Sequence, residues 1–288
     1  MKHKRLPALI MSLLMLLPFA GCAQGQTEES SKPTIEITVF SIGKADSILV
    51  RTGDNTMLID CGEESDEEYI LSELEKRSIT HLDVLQITHF DKDHVGSAAA
   101  VAGKLDIDKI IYPDYEGTRS EYSKFMQAIE GHSDSSAVSE IISGALGEAQ
   151  YTVYPAESPE NYYSDDSEYD NEMSLVTKLS FGSKTFLFTG DAEKKRLKSM
   201  IKQDVDWSCD WIKLPHHGRY CKQLSGFLSQ CAPTYSVMTI SSAEPAEDDT
   251  IALLKELNIQ SFDTLSGNVV TVCDGETITV KNESTEEG

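Results

Sequence analysis

The stretch Thr88-His89-Phe90-Asp91-Lys92-Asp93-His94 follows directly after an apolar run, Leu82 to Ile87. The run has the length and composition of a buried β-strand, so the histidines and aspartates lie on the loop at its C-terminal end. Open α/β sheets bind their ligands at that end of the strands. Because imidazole and carboxylate groups are ligands of divalent metals, this loop predicts a metal site.

Two later strand ends carry side chains of the same kind. Thr189-Gly190-Asp191 follows one β-rich run, and Pro215-His216-His217-Gly218 follows another. Four of the chain's seven histidines therefore fall in two tight clusters. We interpret the three segments as parts of one site.

The N-terminal residues predict export. Met1 to Arg5 is basic, and Leu6 to Ala20 is apolar but too short to span a bilayer comfortably. Phe19-Ala20-Gly21-Cys22 resembles the bacterial lipobox, which predicts a signal peptide over residues 1–21 and a lipid on Cys22. Simple secretion is the alternative. The lipid would anchor the protein to the extracytoplasmic face of the cell membrane.

The rest of the chain divides into a tether, one domain and a tail. Residues 22–33 are polar and predict a flexible tether. Residues 34–281 show no internal repeat and no boundary, so we expect one domain with a well-buried core. Residues 282–288 form an acidic tail.

The charge balance argues against extended contact with nucleic acid. The formal net charge is −23, which repels a polyanion unless cations are focused locally. Near the predicted site the sequence offers Lys44, Lys92, Lys213 and Arg219 for that purpose.

Five cysteines remain after Cys22, without C-x-x-C spacing. The odd number argues against a disulfide framework and against a structural zinc cluster. We interpret them as buried thiols, although Cys221 and Cys231 could pair outside the cell.

The hydrophobic pattern predicts an opening meander of strands and then alternating helices and strands. A long polar loop, Ala156 to Glu172, is either a surface excursion or a flap over the site. The predicted strands are Ile35–Phe40, Ser47–Arg51, Thr56–Asp60, Leu82–Ile87, Ile107–Tyr112, Ser174–Phe181, Lys184–Thr189, Trp211–Leu214 and Thr234–Thr239, with short strands up to Val280. The predicted helices are Asp66–Arg77, Val95–Lys104, two between Ser120 and Leu146, Lys222–Ser229 and Ala246–Leu257.

The order of these motifs resembles the metallo-β-lactamase superfamily. The ligand loop of that family usually reads H-x-H-x-D-H, whereas Asp91 stands here in place of the second histidine. The same departure occurs in the hydrolase domain of ComEC-type competence proteins and their stand-alone lipoprotein relatives. The resemblance implies an α+β fold, a four-layer αββα sandwich in which two mixed β-sheets pack face to face with helices outside.

Further motifs of the ComEC-type group lie along the chain. They are Phe40-Ser41-Ile42-Gly43-Lys44-Ala45-Asp46-Ser47, Met57-Leu58-Ile59-Asp60-Cys61-Gly62, Asn171-Glu172-Met173-Ser174-Leu175-Val176, Leu187-Phe188-Thr189-Gly190-Asp191 and Lys213-Leu214-Pro215-His216-His217-Gly218. Ser41, Ala45, Ser97 and Arg219 depart from the usual pattern, which puts the substrate in question rather than the metal.

The resemblance implies a pair of metal ions, Zn²⁺ or Mn²⁺. His89 and Asp91 would bind one ion and Asp93 and His94 the other, while Asp191 would bridge them. We favour His217 over His216 as the last ligand. The expected catalytic residues are Asp93 and His216, the latter as a donor to the oxyanion or leaving group.

Two further aspartates are expected to support these ligands. Asp46 and Asp60 are read as residues that orient ligand histidines rather than as ligands. For Asp60, a turn-forming role before Cys61-Gly62 is the alternative. The isolated His81 and His132 are expected to have surface or capping roles.

A paired metal site of this kind lowers the pKa of a shared water and yields a hydroxide nucleophile. We therefore predict an extracytoplasmic metal-dependent hydrolase that acts on a phosphodiester, with nucleic acid as one candidate substrate. The alternatives are β-lactam or thioester hydrolysis and a non-catalytic surface binding protein with structural metals. The sequence shows no sign of an obligate protein partner.

Overall fold

The computed structural model describes residues 32–157 and 169–283. The predicted signal peptide, the lipidated Cys22 and most of the tether therefore lie outside the described residues. Residues 158–168 of the predicted polar loop and residues 284–288 of the acidic tail also lie outside them.

The described chain alternates between strands and helices. The strands are β1 (Ile35–Val39), β2 (Ile48–Thr52), β3 (Asn55–Ile59), β4 (His81–Gln86), β5 (Asp106–Pro113), β6 (Ser135–Val138), β7 (Ile142–Leu146), β8 (Ala149–Tyr154), β9 (Val176–Phe181), β10 (Lys184–Phe188), β11 (Trp211–Lys213), β12 (Tyr235–Met238), β13 (Gln260–Asp263), β14 (Val269–Cys273) and β15 (Ile278–Asn282). The helices are α1 (Glu67–Lys76), α2 (Lys92–Val95), α3 (Ala98–Lys104), α4 (Ser120–Ala128), α5 (Tyr169–Glu172), α6 (Lys194–Met200), α7 (Lys222–Cys231) and α8 (Asp248–Glu256).

The strands form two mixed sheets. The first has the order β15-β14-β1-β2-β3-β4-β5-β6, and the second has the order β13-β12-β11-β10-β9-β8-β7. Short turns join the antiparallel neighbours β2–β3, β7–β8, β9–β10 and β14–β15, whereas helices cross over between the parallel ones, β3 to β6 and β10 to β13. Gly182, with φ of 58°, supplies the left-handed residue that the β9–β10 turn requires.

The sheets pack face to face, with helices on both outer faces. Alternate residues of both sheets fill the central layer, for example Ile37 and Val50 from the first sheet and Phe186 and Trp211 from the second. A second apolar layer lies under α1, α3 and α4, and a third lies under α6, α7 and α8. This is the predicted four-layer αββα arrangement.

The segment between Ser120 and Leu146 differs from its prediction. Between Ser120 and Leu146 we expected two helices, but only α4 is helical, and β6 and β7 follow it. The prediction was wrong because Ser135–Val138 extends the parallel edge of the first sheet and Ile142–Leu146 pairs with β8. Strand β8 and helix α6 were not predicted.

Helix formation also begins earlier than expected near the ligand loop. The predicted helix Val95–Lys104 is divided into α2, which starts at Lys92, and α3. A side chain at Gly96 would lie 2.4 Å from the backbone of Glu63, so the chain bends closely past the segment after β3 at that point. The ligand residues Asp93 and His94 therefore lie on a helical turn rather than on an open loop.

The described cysteines are free thiols, and four of the five are buried. The pairing of Cys221 with Cys231 is excluded by geometry, because they lie at opposite ends of α7, and ten helical residues span about 15 Å. The thiol next to Cys231 is that of Cys209.

Within residues 32–157 and 169–283, every helix is too short or too polar to cross a lipid bilayer.

Candidate metal centre

The predicted ligands lie where three strand ends meet. His89 to Asp93 follow β4 of the first sheet, while Asp191 and His217 follow β10 and β11 of the second. Because parallel neighbours end at the same edge, β10 and β11 deliver Asp191 and His217 side by side. The site therefore joins the two sheets.

Four of these side chains form a tight cluster. His94 Nε2 lies 3.2 Å from Asp191 Oδ1, and His217 Nε2 lies 3.2 Å from Asp191 Oδ2. Asp93 Oδ2 approaches the same nitrogen of His217 at 3.3 Å. The side chains of His94, Asp191 and His217 are at most 2% exposed, whereas Asp93 is 23% exposed and faces the opening. Asp191 thus places one oxygen against each histidine.

His89 and Asp91 lie beside this cluster. The rings of His89 and His94 are 4.0 Å apart between centroids, and His89 Nε2 is 3.9 Å from Asp91 Oδ2. The second oxygen of Asp91 accepts a hydrogen bond of 2.8 Å from Nε of Arg119. All six predicted ligands are therefore brought into one region, in two neighbouring groups.

His216 has a different environment from His217. Its Nε2 is 3.7 Å from Asp191 Oδ2, and its Nδ1 is hydrogen-bonded to Glu193 at 2.9 Å. It also lines a cavity of about 190 Å³ together with Lys44, Arg219 and Glu244. His217 also lines this cavity, so the two histidines differ in their partners: His217 lies against Asp93 and Asp191, and His216 is held by Glu193. Which of them binds a metal stays a prediction.

Asp60 fixes the ligand loop and His94. It accepts hydrogen bonds from the backbone N–H of Thr88 and from its hydroxyl, both at 2.7 Å, and lies 2.8 Å from Nδ1 of His94. Thr88 Oγ1 also contacts Nδ1 of His89 at 3.1 Å. A proton on Nδ1 of His94 leaves the lone pair of Nε2 directed into the cluster. Asp60 therefore has the orienting position that we predicted for it.

Asp46 supports His217 from behind. Its Oδ1 accepts a 2.6 Å hydrogen bond from Thr239 and lies 3.2 Å from Nδ1 of His217, while its Oδ2 pairs with Lys213 at 2.8 Å. Asp46 is close enough to His94, Asp191 and His217 for a shared metal. Both of its oxygens are already engaged, however, and it faces the Nδ1 side of His217, so we assign it to orientation.

The ammonium of Lys213 is fully buried in that ion pair. The expectation that Lys213 provides positive charge for a substrate was therefore wrong, because its ammonium is buried in an ion pair with Asp46. Lys92 is exposed and pairs with Glu63 at 2.7 Å. Arg119 is paired with Asp91, while Arg219 and Lys44 line the cavity beside His216 and pair with Glu193 and Glu244.

Backbone strain places the two tandem histidines. His216 and His217 both adopt left-handed conformations, with φ of 47° and 55°, at a cost of about 1–2 kcal/mol each. Gly218 has φ of 89°, and a side chain there would come within 2.8 Å of the sulfur of Met238. Strain of this kind persists only where the surroundings hold it, and it is typical of functional sites.

The electrostatics of the metal-free cluster differ between its histidines. Burial and the neighbouring His94 lower the pKa of His89 to about 3. Burial also opposes a charged His217, but the carboxylates of Asp191 and Asp46 outweigh it and raise its pKa to about 10. Burial likewise disfavours the Asp93 carboxylate, yet His217 and His94 hold its pKa well below the usual range. In the metal-free cluster the Asp93 carboxylate is thus ionised, and the protonated His217 supplies positive charge beside it.

The donor set fits divalent metal ions. Among the described residues, the buried atoms without a good hydrogen bond include Nε2 of His89, His94 and His217 and Oδ1 of Asp191. Buried polar atoms are rarely left without partners. Since all four atoms belong to the predicted ligands, a bound cation is the simplest way to satisfy them.

Several residues of the site were not predicted. Each of them contacts a predicted ligand or catalytic residue. Glu193 contacts Nδ1 of His216, Thr239 contacts Nδ1 of His217, and Arg119 contacts Oδ1 of Asp91. Glu193 lies two positions after Asp191, and this proximity was the only signal for it. Thr239 and Arg119 are distant in sequence, and only the folded chain reveals them.

Comparison with known proteins agrees with this geometry. A family model described as the metallo-beta-lactamase superfamily matches residues 42–173. ComE operon protein 3 from Bacillus subtilis (strain 168) is 24% identical over 225 residues, which cover 71% of this chain and 28% of that protein. Competence protein ComA from Neisseria gonorrhoeae is 26% identical over 266 residues, which cover 86% of this chain and 35% of that protein. The chain thus spans about a third of the length of these relatives.

Solved structures share the architecture. The metallo-beta-lactamase fold protein YhfI from Bacillus subtilis matches with a TM-score of 0.55 at 14% identity, covering 87% of this chain and 100% of that one. At this identity the match shows the fold alone, and it confirms the predicted four-layer sandwich.

Proposed function

We propose that the chain is an extracytoplasmic metal-dependent phosphodiesterase of the metallo-β-lactamase superfamily, whose family model matches residues 42–173. His89, Asp91, Asp93, His94, Asp191 and His217 would hold zinc or manganese ions. Such ions activate a water as a nucleophile and polarise the oxygen of the group under attack.

The observation that carries the proposal is the placement of Asp191. Its two oxygens lie 3.2 Å from Nε2 of His94 and 3.2 Å from Nε2 of His217, and the side chains of all three residues are at most 2% exposed. A carboxylate that places one oxygen against each of two ring nitrogens is the arrangement that a bridging ligand requires.

The protein groups around the cluster supply the remaining chemistry. Asp93, the most exposed acid of the cluster, can orient the attacking water. His216 has Nδ1 fixed by Glu193 and Nε2 beside Asp191, so it can donate a hydrogen bond to the oxyanion or leaving oxygen. Both groups reach the open side of the site.

The surroundings of the opening favour an anionic substrate. Arg119 lies beside Asp91, and Arg219 and Lys44 line the cavity next to His216, although the chain as a whole is strongly acidic. Local cations beside a metal pair suit a phosphodiester better than a neutral ester. The similarity to two competence proteins makes a DNA strand the first substrate to test.

The experiment compares the mature protein with Asp191→Asn, and with Asp83→Asn as the matched control. Metals per chain are measured, and hydrolysis of bis-p-nitrophenyl phosphate, single-stranded DNA, p-nitrophenyl phosphorylcholine and the β-lactam nitrocefin is followed. We expect Asp191→Asn to lose metal and at least 100-fold in phosphodiester hydrolysis, and Asp83→Asn to retain both. Equal activity of wild type and Asp191→Asn on every phosphodiester would refute the proposal, whereas hydrolysis of nitrocefin alone would favour β-lactam hydrolysis.

We further propose that Cys22 carries a lipid that anchors the enzyme outside the cytoplasmic membrane. The full-length protein should fractionate with membranes and be accessible to added protease in intact cells without an outer membrane. Cys22→Ser should remain uncleaved or be released into the soluble fraction. Recovery of the wild-type protein in the cytoplasm would contradict this location.

A further inference from the structure

The segment between β5 and α4 is held tightly against the ligand loop. Tyr115 Oη accepts a 2.9 Å hydrogen bond from the backbone N–H of Phe90, the residue between His89 and Asp91. The Phe90 ring packs against Tyr115 and Tyr122, with centroids 4.8 and 4.6 Å apart. These contacts bind the segment to the loop at three points.

Gly117 allows this close approach. A side chain on Gly117 would lie 2.7 Å from the ring of Tyr122 and 3.0 Å from Cβ of Phe90. Two residues later, Arg119 immediately precedes helix α4 with extended backbone angles. Its side chain therefore starts from a fixed point above Asp91.

The guanidinium of Arg119 lies at the opening of the site. Its Nε donates to Asp91 Oδ1 at 2.8 Å, and the side chain is 46% exposed. Among the described residues this is its only side-chain hydrogen bond, so the two terminal NH₂ groups remain available as donors. Asp170 and Asp93 add negative charge nearby.

The other basic residues near the loop are committed elsewhere. Lys213 is buried against Asp46, and Lys92 extends away to Glu63. Arg119 is thus the cation that is tied directly to a predicted ligand and still presents a planar fork to the solvent. A guanidinium held by one edge can bind two oxygens of a phosphate with the other.

We propose that Arg119 is the specificity-determining residue that binds a non-bridging oxygen of an anionic phosphodiester and so selects charged diesters over neutral esters. The proposal rests on the phosphodiesterase function proposed above. Asp91 positions the guanidinium, and the terminal NH₂ groups contact the substrate beside the metal site.

The test uses the metal-loaded mature protein and the variants Arg119→Ala and Arg119→Lys. Arg51→Ala is the control, because Arg51 is also part-exposed and pairs with an acid, Glu36, but lies opposite Thr56 at the end of the sheet away from the ligand loop. Kinetic constants are measured for bis-p-nitrophenyl phosphate, which is charged, and diethyl p-nitrophenyl phosphate, which is neutral. In parallel, calorimetry measures binding of a thymidine dinucleotide with a phosphodiester linkage and of its uncharged methylphosphonate analogue.

We expect Arg119→Ala to raise KM for the charged diester and Kd for the charged dinucleotide about 10-fold. The neutral compounds should change less than twofold, Arg119→Lys should lie between wild type and Arg119→Ala, and added guanidinium ions should partly restore Arg119→Ala. The metal content should stay unchanged.

The results separate this inference from the proposed function. If the wild type cleaves the diester and Arg119→Ala has unchanged constants, or loses affinity equally for charged and neutral compounds, the inference is overturned while the function stands. If the wild type cleaves no phosphodiester but Arg119→Ala still weakens binding of the charged dinucleotide alone, the reaction is wrong and the anion-binding role stands.

Discussion

Replacement of Asp60 by asparagine should separate metal affinity from folding stability. Asp60 is buried, has φ of 62°, and accepts hydrogen bonds from the Thr88 N–H, the Thr88 hydroxyl and Nδ1 of His94. Asparagine tolerates the left-handed conformation and can still accept from the Thr88 N–H. Its amide group, in place of the second oxygen, would donate to Nδ1 of His94.

That reversal changes the tautomer of His94. When Nδ1 accepts a hydrogen bond, the proton of the neutral ring moves to Nε2, 3.2 Å from Asp191. The lone pair that a metal needs is then absent, so we expect a 10- to 100-fold loss of metal affinity, typical of losing a partner behind a ligand. The stability loss should be about 1–2 kcal/mol, because the hydrogen-bond count is largely kept.

Asp60→Ala provides the contrast. It leaves three buried donors without an acceptor, which should cost about 3 kcal/mol or more as well as metal affinity. Asp83→Asn is the control, since Asp83 also accepts two 2.7 Å hydrogen bonds but lies in β4 at the end away from the ligand loop.

The assay combines competition against a chromophoric chelator with urea denaturation of the metal-free protein. Asp83→Asn should lose a similar amount of stability to Asp60→Asn and keep wild-type metal affinity. Wild-type metal affinity in Asp60→Asn would refute the reasoning, because it would mean that Asp60 does not set the tautomer of His94.

Three further changes test the surroundings of the cluster. Gly218→Ala should destabilise the protein by about 1–3 kcal/mol in urea denaturation, because alanine disfavours the positive φ and meets the methionine sulfur behind it; unchanged stability would contradict the strained turn. Lys213→Met should cost about 3–5 kcal/mol by leaving Asp46 buried without its counter-charge, and Lys213→Arg should cost less. Burial disfavours the charged form of His217, but Asp191 and Asp46 outweigh it and raise the pKa to about 10. The folded metal-free protein therefore holds a proton that the unfolded chain releases near pH 6.5. Its stabilising contribution is complete below about pH 6.5 and is lost as the pH rises towards 10, so metal-free wild type should lose stability over this range and His217→Gln should not; equal pH profiles would contradict the assignment.

The fold was predictable because the metal motifs lie on recognisable strand ends. The apolar run before His89 and the Thr-Gly-Asp and Pro-His-His-Gly segments each mark the end of a buried strand. The error between Ser120 and Leu146 has a different origin. Ser135–Val138 is a short edge strand that is defined by its parallel pairing with β5 and not by its own periodicity.

The candidate site was predictable only as far as the ligand types. Histidine and aspartate in close spacing indicate a metal by their chemistry, whereas the groups behind them are ordinary residues placed by the fold. Thr239 orients His217 from the end of β12, and Arg119 reaches Asp91 from the start of α4. The sequence around Thr239 and Arg119 does not indicate these contacts, because they form only when the chain has folded.

The negative net charge of the chain predicts repulsion of a polyanion, whereas the basic residues at the opening of the site predict attraction. The distance of each charge from the site decides which effect is larger there. Acids on the outer surface are screened within about 10 Å at moderate salt, whereas Arg119 lies 2.8 Å from a predicted ligand and Arg219 lies 3.5 Å from the carboxylate that holds His216. The buried acids of the cluster are balanced internally, Asp46 by Lys213 and the others, as proposed, by metal ions. A single phosphodiester at the opening therefore meets local positive charge, while a long strand that lies along the surface meets repulsion. This difference favours a short contact with one phosphate linkage and its neighbours over an extended track, and it explains how so acidic a chain could act on a polyanion at all.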